Sequence, residues 1–460
     1  MYRSSATRKP LLWLMLLTAS IWSIPAQAEE AGWRIGLARV QVTPEESIRM
    51  AGYGGREKPS NGVLSDLYVK AMAIECPDSR PALLVTADLV NFRAPTWQEI
   101  CRRIGEKTGL RREEILLVPS HTHAGPIFGP EAKTYGLAGE ELAAVQRYTQ
   151  KLYAQLTDLA VEALAHRLPA QLSWGTGKAD FVMNRREQTP TEIRIGVNRE
   201  GYVDSSVPVL RVDGPDGRLR ALVFGCACHN TTLGGTNLKI CGEYAGFAQQ
   251  ELERQHPGVQ AMFMIGCGGS ANPHPRGTVE LARQHGQSLA QEVARVAAGR
   301  LQPVRGPLRT VLGWADLPLA PMPPRERLSE MAKGPSYLVS NAKRMLAMLD
   351  RGEQLPAHYR APVAVWQFGD DLTLLALSGE VVSDYVPLIQ KAVGSDRLWI
   401  AGYANESFGY LPSKKVLAEG GYETRGLIFD TGFFAPEVED VVMQTARSLC
   451  EQVGRMNRSK

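Results

Sequence analysis

Residues Leu116–Pro126 read LLVPSHTHAGP. The apolar run Ile115–Val118 has the length and composition of a buried strand. It breaks at Pro119, and the chain carries His121 and His123 into a loop that turns at Gly125 and Pro126. In an extended segment, residues two apart project to the same side. A His-x-His sequence at a strand end therefore aims two imidazoles at one point. Neutral imidazole is the commonest protein ligand for ions such as zinc. A polar loop whose histidines only hydrogen-bond would have the same local sequence, so the rest of the chain must decide.

The pattern recurs. Leu222–Cys228 is an apolar strand that runs into His229-Asn230-Thr231-Thr232, and Leu372–Leu377 ends in Ser378-Gly379-Glu380. Ala261–Ile265 opens into the glycine loop GCGGSANP, Gly266–Pro273. Two histidines and one carboxylate, with a position left for water, are a common catalytic zinc set. Iron and manganese accept the same donors.

Around these strands, Trp33–Thr43, Val69–Glu75, Ala82–Ala87, Gln171–Gly177, Val203–Val212 and Leu398–Tyr403 also read as strands. Thr96–Gly109, Glu140–His166, Tyr244–Gln255, Thr278–Ala298 and Val438–Val453 read as helices. Gly214-Pro215-Asp216-Gly217 marks a hairpin, as do Gly369-Asp370-Asp371 between Val363–Phe368 and Leu372–Leu377. His166 closes the longest helix and suits its C-terminal dipole. Strands and helices in alternation predict an α/β fold: a mixed β-sheet core flanked by helices, in a single large catalytic domain over residues 29–460. Pro318–Tyr359, proline-rich and then rich in Lys, Arg and Met, is expected to be a helical insertion.

The first residues have the pattern of a secretory signal peptide. Arg3, Arg8 and Lys9 precede the apolar Leu11–Ile24, and Ala26-Gln27-Ala28 is an A-x-A cleavage site. Residues 1–28 are thus expected to be removed and the protein to be periplasmic or secreted. No later apolar run reaches the ~18 residues of a membrane span. Across 460 residues the composition is 44% hydrophobic and 22% charged, ordinary for a globular protein. A net charge of +4, with no basic run interleaved with aromatics, offers no case for nucleic acid. The seven cysteines are Cys76, Cys101, Cys226, Cys228, Cys241, Cys267 and Cys450. An oxidising compartment allows some to pair. Cys226-Ala227-Cys228 lacks zinc-ribbon spacing and reads as small buried thiols or a local disulfide.

Several separate blocks, in order, resemble the catalytic domain of the neutral/alkaline non-lysosomal ceramidase family. They are RIGLARVQVTP with MAGYGGR, PSHTHAGP, NRR at Asn184–Arg186, CACHNTTL with GEYAG, GCGGSANP, LSGEVVSDY, and NESFGY with GGYE. The resemblance implies Zn²⁺ held by His121, His229, Glu380 and Tyr410, with His123, Arg185 and Tyr422 lining the active site. It implies hydrolysis of a linear amide, an N-acyl amine or ceramide-like substrate, by metal-activated water. A Tyr hydroxyl or Arg185 would steady the oxyanion and His123 would carry a proton to the leaving amine. Tyr410 fits either a ligand or an oxyanion donor. The chain departs from the family where a serine is usual: the aligned residue is Asn272, with Ser270 two positions earlier. Glu243 replaces an aspartate, and an immunoglobulin-like C-terminal domain is not expected. These departures keep two alternatives open: another ester or amide substrate for the same zinc chemistry, and a non-catalytic envelope protein that binds a ligand on this fold. The substrate reading leaves peripheral membrane contact open.

Overall fold

The structure, a computed structural model, describes residues 1–2, 32–428 and 430–455. The expected signal peptide therefore lies almost wholly outside the described residues. The described residues from Gly32 onward form one compact unit.

The main sheet runs, in spatial order, Gln260–Ile265, Leu219–Cys226, Ser206–Asp213, Leu168–Lys178, Trp33–Gln41, Tyr68–Glu75, Ala82–Ala87 and Ile115–Pro119, with Gln302–Val304 added beside Leu168–Lys178. A second sheet has the order Leu308–Pro318, His358–Phe368, Leu372–Leu377, Leu398–Ala401. Ala271–Pro273, Val182–Gln188 and Ile193–Asn198 make a third, small sheet. Mixed sheets flanked by helices make this an α/β fold, as the alternation predicts.

Three parallel pairs organise the site. Ala82–Ala87 pairs with Ile115–Pro119, Leu219–Cys226 with Gln260–Ile265, and Leu372–Leu377 with Leu398–Ala401. Each pair is joined by a helix, respectively Ala94–Thr108, Glu243–Gln255 and Tyr385–Val393, because parallel strands need a long crossover. Every residue of Ala82–Ala87, Ile115–Pro119, Gln260–Ile265 and Leu372–Leu377 is buried. Burial on both faces explains why these strands are continuous apolar runs rather than alternating ones.

One face of the main sheet packs Val69, Leu83, Val85 and Leu117 against Trp97, Ile100 and Ile104 of Ala94–Thr108 and Leu152, Leu156 and Ala160 of Gly139–Ala165. Their helical spacing in sequence is what made both helices legible. The other face packs Met72, Leu84 and Val118 with Trp366, Leu374 and Trp399 of the second sheet. Beyond it, Val438, Val442, Ala446 and Leu449 of Val438–Gln452 close a third cluster. Thr278 caps the helix Val279–Ala298 by accepting from the Leu281 amide at 3.2 Å.

Among the longer strands, three escape the sequence pattern: Val182–Gln188 and Ile193–Asn198, which form a hairpin, and Leu308–Pro318. The latter pairs with His358–Phe368 from Leu308↔Phe368 to Pro318↔His358. The helices Arg325–Met331 and Ser336–Asp350 thus form an excursion at the tip of an antiparallel hairpin. All seven cysteines are buried free thiols, so none of the pairing open to the sequence occurs.

Candidate metal centre and cleft

The three parallel pairs deliver their carboxyl ends to one place, the usual location for a site in an open α/β sheet. His121 and His123 follow Ile115–Pro119, His229 follows Leu219–Cys226, and Glu380 follows Leu372–Leu377. The loop after Leu398–Ala401 stitches the ends together. Gly402 donates to the Ile265 carbonyl at 3.1 Å, Tyr403 to Gly379 at 2.9 Å, Ala404 to Leu377 at 3.0 Å and Asn405 to Leu117 at 2.7 Å. The Leu117 amide donates back to Asn405 Oδ1 at 3.1 Å. Positive φ at His121 (60°), Tyr403 (57°) and Asn405 (63°) marks the backbone held out of its ordinary regions here.

Each ligand loop is braced by backbone. His123 donates to the Asn230 carbonyl at 3.2 Å, His229 to Ala271 at 3.0 Å and Arg185 to Ser270 at 2.9 Å. Glu380 sits directly beside Tyr410 in a short parallel pair, Glu380–Val381 with Tyr410–Leu411. Gly52, at φ 94°, lies under His123: a Cβ there would stand 2.5 Å from the His123 ring.

The Nδ1 of His121 donates to the Val90 carbonyl and that of His229 to the Gly268 carbonyl, each at 2.7 Å. A carbonyl only accepts, so these bonds fix the proton on Nδ1 and leave Nε2 as a bare lone pair. Nε2 of His229 lies 3.1 Å from Glu380 Oε2, and Nε2 of His121 lies 3.4 Å from the same oxygen. His123 Nε2 is 3.0 Å from His121 Nε2, and Tyr410 Oη is 3.4 Å from His229 Nε2. The ligand nitrogens of His121, His123 and His229 all lie within 4.8 Å of one another. Atoms bound ~2 Å from one tetrahedral ion stand roughly 3.3 Å apart. The donor set fits a divalent cation on both counts, spacing and the lone pairs of His121, His229 and Glu380, which converge with no proton between them.

The electrostatics agree. Burial, and then Arg185, push His229 down to about 3, so the ring is neutral. Burial, and then the neighbouring His121 ring, hold His123 well below the ordinary histidine range. Burial opposes ionisation of Glu380, yet its carboxyl is held well below the usual carboxylate range. Burial drives the Tyr410 phenol well up, against the pull of Arg185.

Arg185 donates to Tyr410 Oη at 3.0 Å and to Asn272 Oδ1 at 3.4 Å. Tyr422 packs on Tyr410 with ring centroids 5.5 Å apart. All seven residues singled out in the sequence thus surround one centre. Asn272 touches Arg185, whereas Ser270 Oγ is bonded to Ser383 at 3.1 Å. Glu243 is fully buried, accepting from the Leu233 amide at 2.6 Å.

Sequence reasoning misses two neighbours. Glu423 is buried between Arg185, at 2.8 Å, and Arg186, at 2.5 Å. Nothing local announces it beyond the need of two buried guanidiniums for a carboxylate. Tyr403 packs at a tilt against His121, with ring centroids 4.5 Å apart. Its place just after an apolar strand is the same signal that singled out the histidines.

A cleft of about 420 Å³ opens on the centre. His121, His123, Glu380, Tyr410 and Tyr422 line it together with Gly52, Tyr53, Ser340, Arg344 and Arg425. Ser340 and Arg344 come from the helix Ser336–Asp350 of the excursion.

Residues 33–272 match the family described as neutral/alkaline non-lysosomal ceramidase, N-terminal. The neutral ceramidase of Pseudomonas aeruginosa is 24% identical over 265 residues, covering 55% of this chain and 38% of that protein. Neutral ceramidase A of Dictyostelium discoideum is 22% identical over 272 residues, covering 54% of this chain and 37% of that protein. The alignments thus span well under half the length of these curated relatives. Among solved structures, neutral ceramidase from Pseudomonas aeruginosa superposes with a TM-score of 0.73 at 21% identity, covering 92% of this chain and 75% of that one. A ceramidase complexed with C2 gives 0.74 at 18% identity, covering 94% and 77%.

Proposed function

Since the chain belongs to the neutral/alkaline non-lysosomal ceramidase family, we propose that it is an exported, zinc-dependent amidohydrolase acting on a lipid-like linear amide. The observation that carries this is the convergence of His121 Nε2, His229 Nε2 and Glu380 Oε2, with both Nδ1 protons committed to backbone carbonyls. His121, His229, Glu380 and Tyr410 would hold the ion. When bound, such an ion polarises a carbonyl and acidifies a water.

The chain's own groups do the rest. Arg185 Nη2, 3.0 Å from Tyr410 Oη, presents a donor to the oxygen that gains charge as the carbonyl carbon becomes tetrahedral. Glu423 fixes the angle of Arg185. The water oxygen joins the carbonyl carbon, the C–N bond breaks, and the water's proton reaches the amine nitrogen through His123. That ring is neutral and its Nδ1 has no hydrogen-bond partner among the described residues, so it can accept a proton and release it. Tyr422 packs against Tyr410 at the cleft wall. Residues 1–28 would direct export and be removed, and the two-helix excursion would act as an insertion in the catalytic domain. Among the described residues no helix is long and apolar enough to cross a membrane.

The test combines metal analysis with a panel of N-acyl amines, ceramides and esters of matched chain length. The reading expects one divalent ion per chain, amide cleavage that a chelator abolishes and zinc restores, and slower ester cleavage. Turnover undiminished by complete metal removal would refute it.

A further inference from the structure

The cleft carries a feature that its metal-centre residues do not use. Opposed to no carboxylate but Glu380 among its lining residues, it presents two arginines, Arg344 and Arg425. They come from different parts of the chain: Arg344 from the excursion helix Ser336–Asp350, Arg425 from just beyond the turn Tyr422–Thr424. Arg344 is held by its own surroundings, donating to Ser340 Oγ at 2.8 Å and the Leu427 carbonyl at 3.1 Å. Its Nε is buried and has no hydrogen-bond partner among the described residues. Arg425 donates to Tyr422 Oη at 2.5 Å and lies 4.9 Å over that ring. Neither forms an ion pair among the described residues. The charges that act on Arg344 are the carboxylate of Asp430, which is exposed, and the guanidiniums of Arg425 and Arg93.

Two preset guanidiniums beside a hydrolytic centre, with a spare buried donor, are an incomplete ion pair. Arginine's planar fork matches a carboxylate. The neutral hydroxyls of a ceramide would leave that charge without a counterion. We propose that Arg344 and Arg425 select lipid-like amides bearing a carboxylate, as in N-acyl amino acids, over amides with a neutral head group. This deepens the amidohydrolase reading and rests on it for turnover, not for binding.

The test has two arms. For binding, calorimetry compares N-(dodecylsulfonyl)glycine with N-(dodecylsulfonyl)ethanolamine, sulfonamides that resist hydrolysis. The carboxylate probe should bind roughly tenfold tighter, and the ratio should shrink as salt is raised. Arg344→Gln or Arg425→Gln should collapse the ratio, and Arg344→Lys or Arg425→Lys should restore part of it. The salt series on the unaltered protein needs no variant to fold. Equal binding of the two probes, or a ratio indifferent to both salt and the arginine substitutions, overturns the proposal. For turnover, N-lauroylglycine is compared with N-lauroylethanolamine. A binding preference with neither amide cleaved supports the carboxylate subsite and removes the hydrolase reading instead.

Discussion

Nε2 of His121 and Nε2 of His123 face each other across 3.0 Å, although the residues are only two apart in the chain. The Val90 carbonyl takes the Nδ1 proton of His121, so two ring nitrogens meet over a single proton or a cation. A ligand role would engage Nε2 of His123, whereas the proposed proton-carrying role uses its Nδ1. The proposed division predicts that His123→Ala keeps its metal and loses turnover by about 10²–10⁴-fold. Metal content measured beside kcat decides: loss of the ion in this variant would make His123 a ligand.

Glu423 joins two buried guanidiniums, Arg185 and Arg186. Removing one partner of a buried ion pair leaves uncompensated charge, at a cost of about 3–5 kcal/mol. Glu423→Gln should therefore lower stability to urea by several kcal/mol and impair turnover by releasing Arg185. A variant as stable as the parent would mean that water replaces the carboxylate.

Gly52 allows the backbone to approach His123. A Cβ would meet the ring at 2.5 Å, and φ of 94° disfavours any side chain. Gly52→Ala should cost about 1–3 kcal/mol and lower kcat by displacing His123, with the His121 and His229 positions retained. Unchanged kcat would show that the ring has room to move.

Glu243 gives a pH signature apart from the histidines. Burial raises its carboxyl from 4.5 to about 7. A group raised in the folded state holds its proton better there than in the unfolded chain. Its contribution is complete below about 4.5 and is lost as pH climbs towards about 7. The swing approaches about 3 kcal/mol. Urea unfolding between those limits should show a slope that Glu243→Gln flattens. Parallel pH profiles for the two proteins would contradict this.

How legible was the site? His121, His229 and Glu380 could be read because each follows an apolar run too short for a helix, and buried parallel strands leave that mark. Tyr410 and Tyr422 carry no such mark. Tyr410–Leu411 is a two-residue strand, too short for any periodicity, and only the family resemblance singled these tyrosines out. Leu308–Pro318 was missed because its burial is irregular along its length, so neither alternation nor a continuous apolar run survives. The Val182–Gln188 hairpin was missed because Asn184, Arg185 and Arg186 are buried polar residues. Their partners, Glu423 among them, come from distant parts of the chain. The excursion was recognisable by composition, but its place at the tip of a hairpin depends on the strand pairing that went unseen.

The central claim is that His121, His229 and Glu380 grip one divalent ion. Its most direct test is metal stoichiometry by mass spectrometry on the purified protein and on His229→Ala and Glu380→Ala, each with its folding checked by circular dichroism. The account predicts about one zinc per chain in the parent and a substoichiometric, easily chelated ion in both folded variants. A parent that binds no divalent ion after zinc loading, or variants that retain it as tightly as the parent, would contradict it.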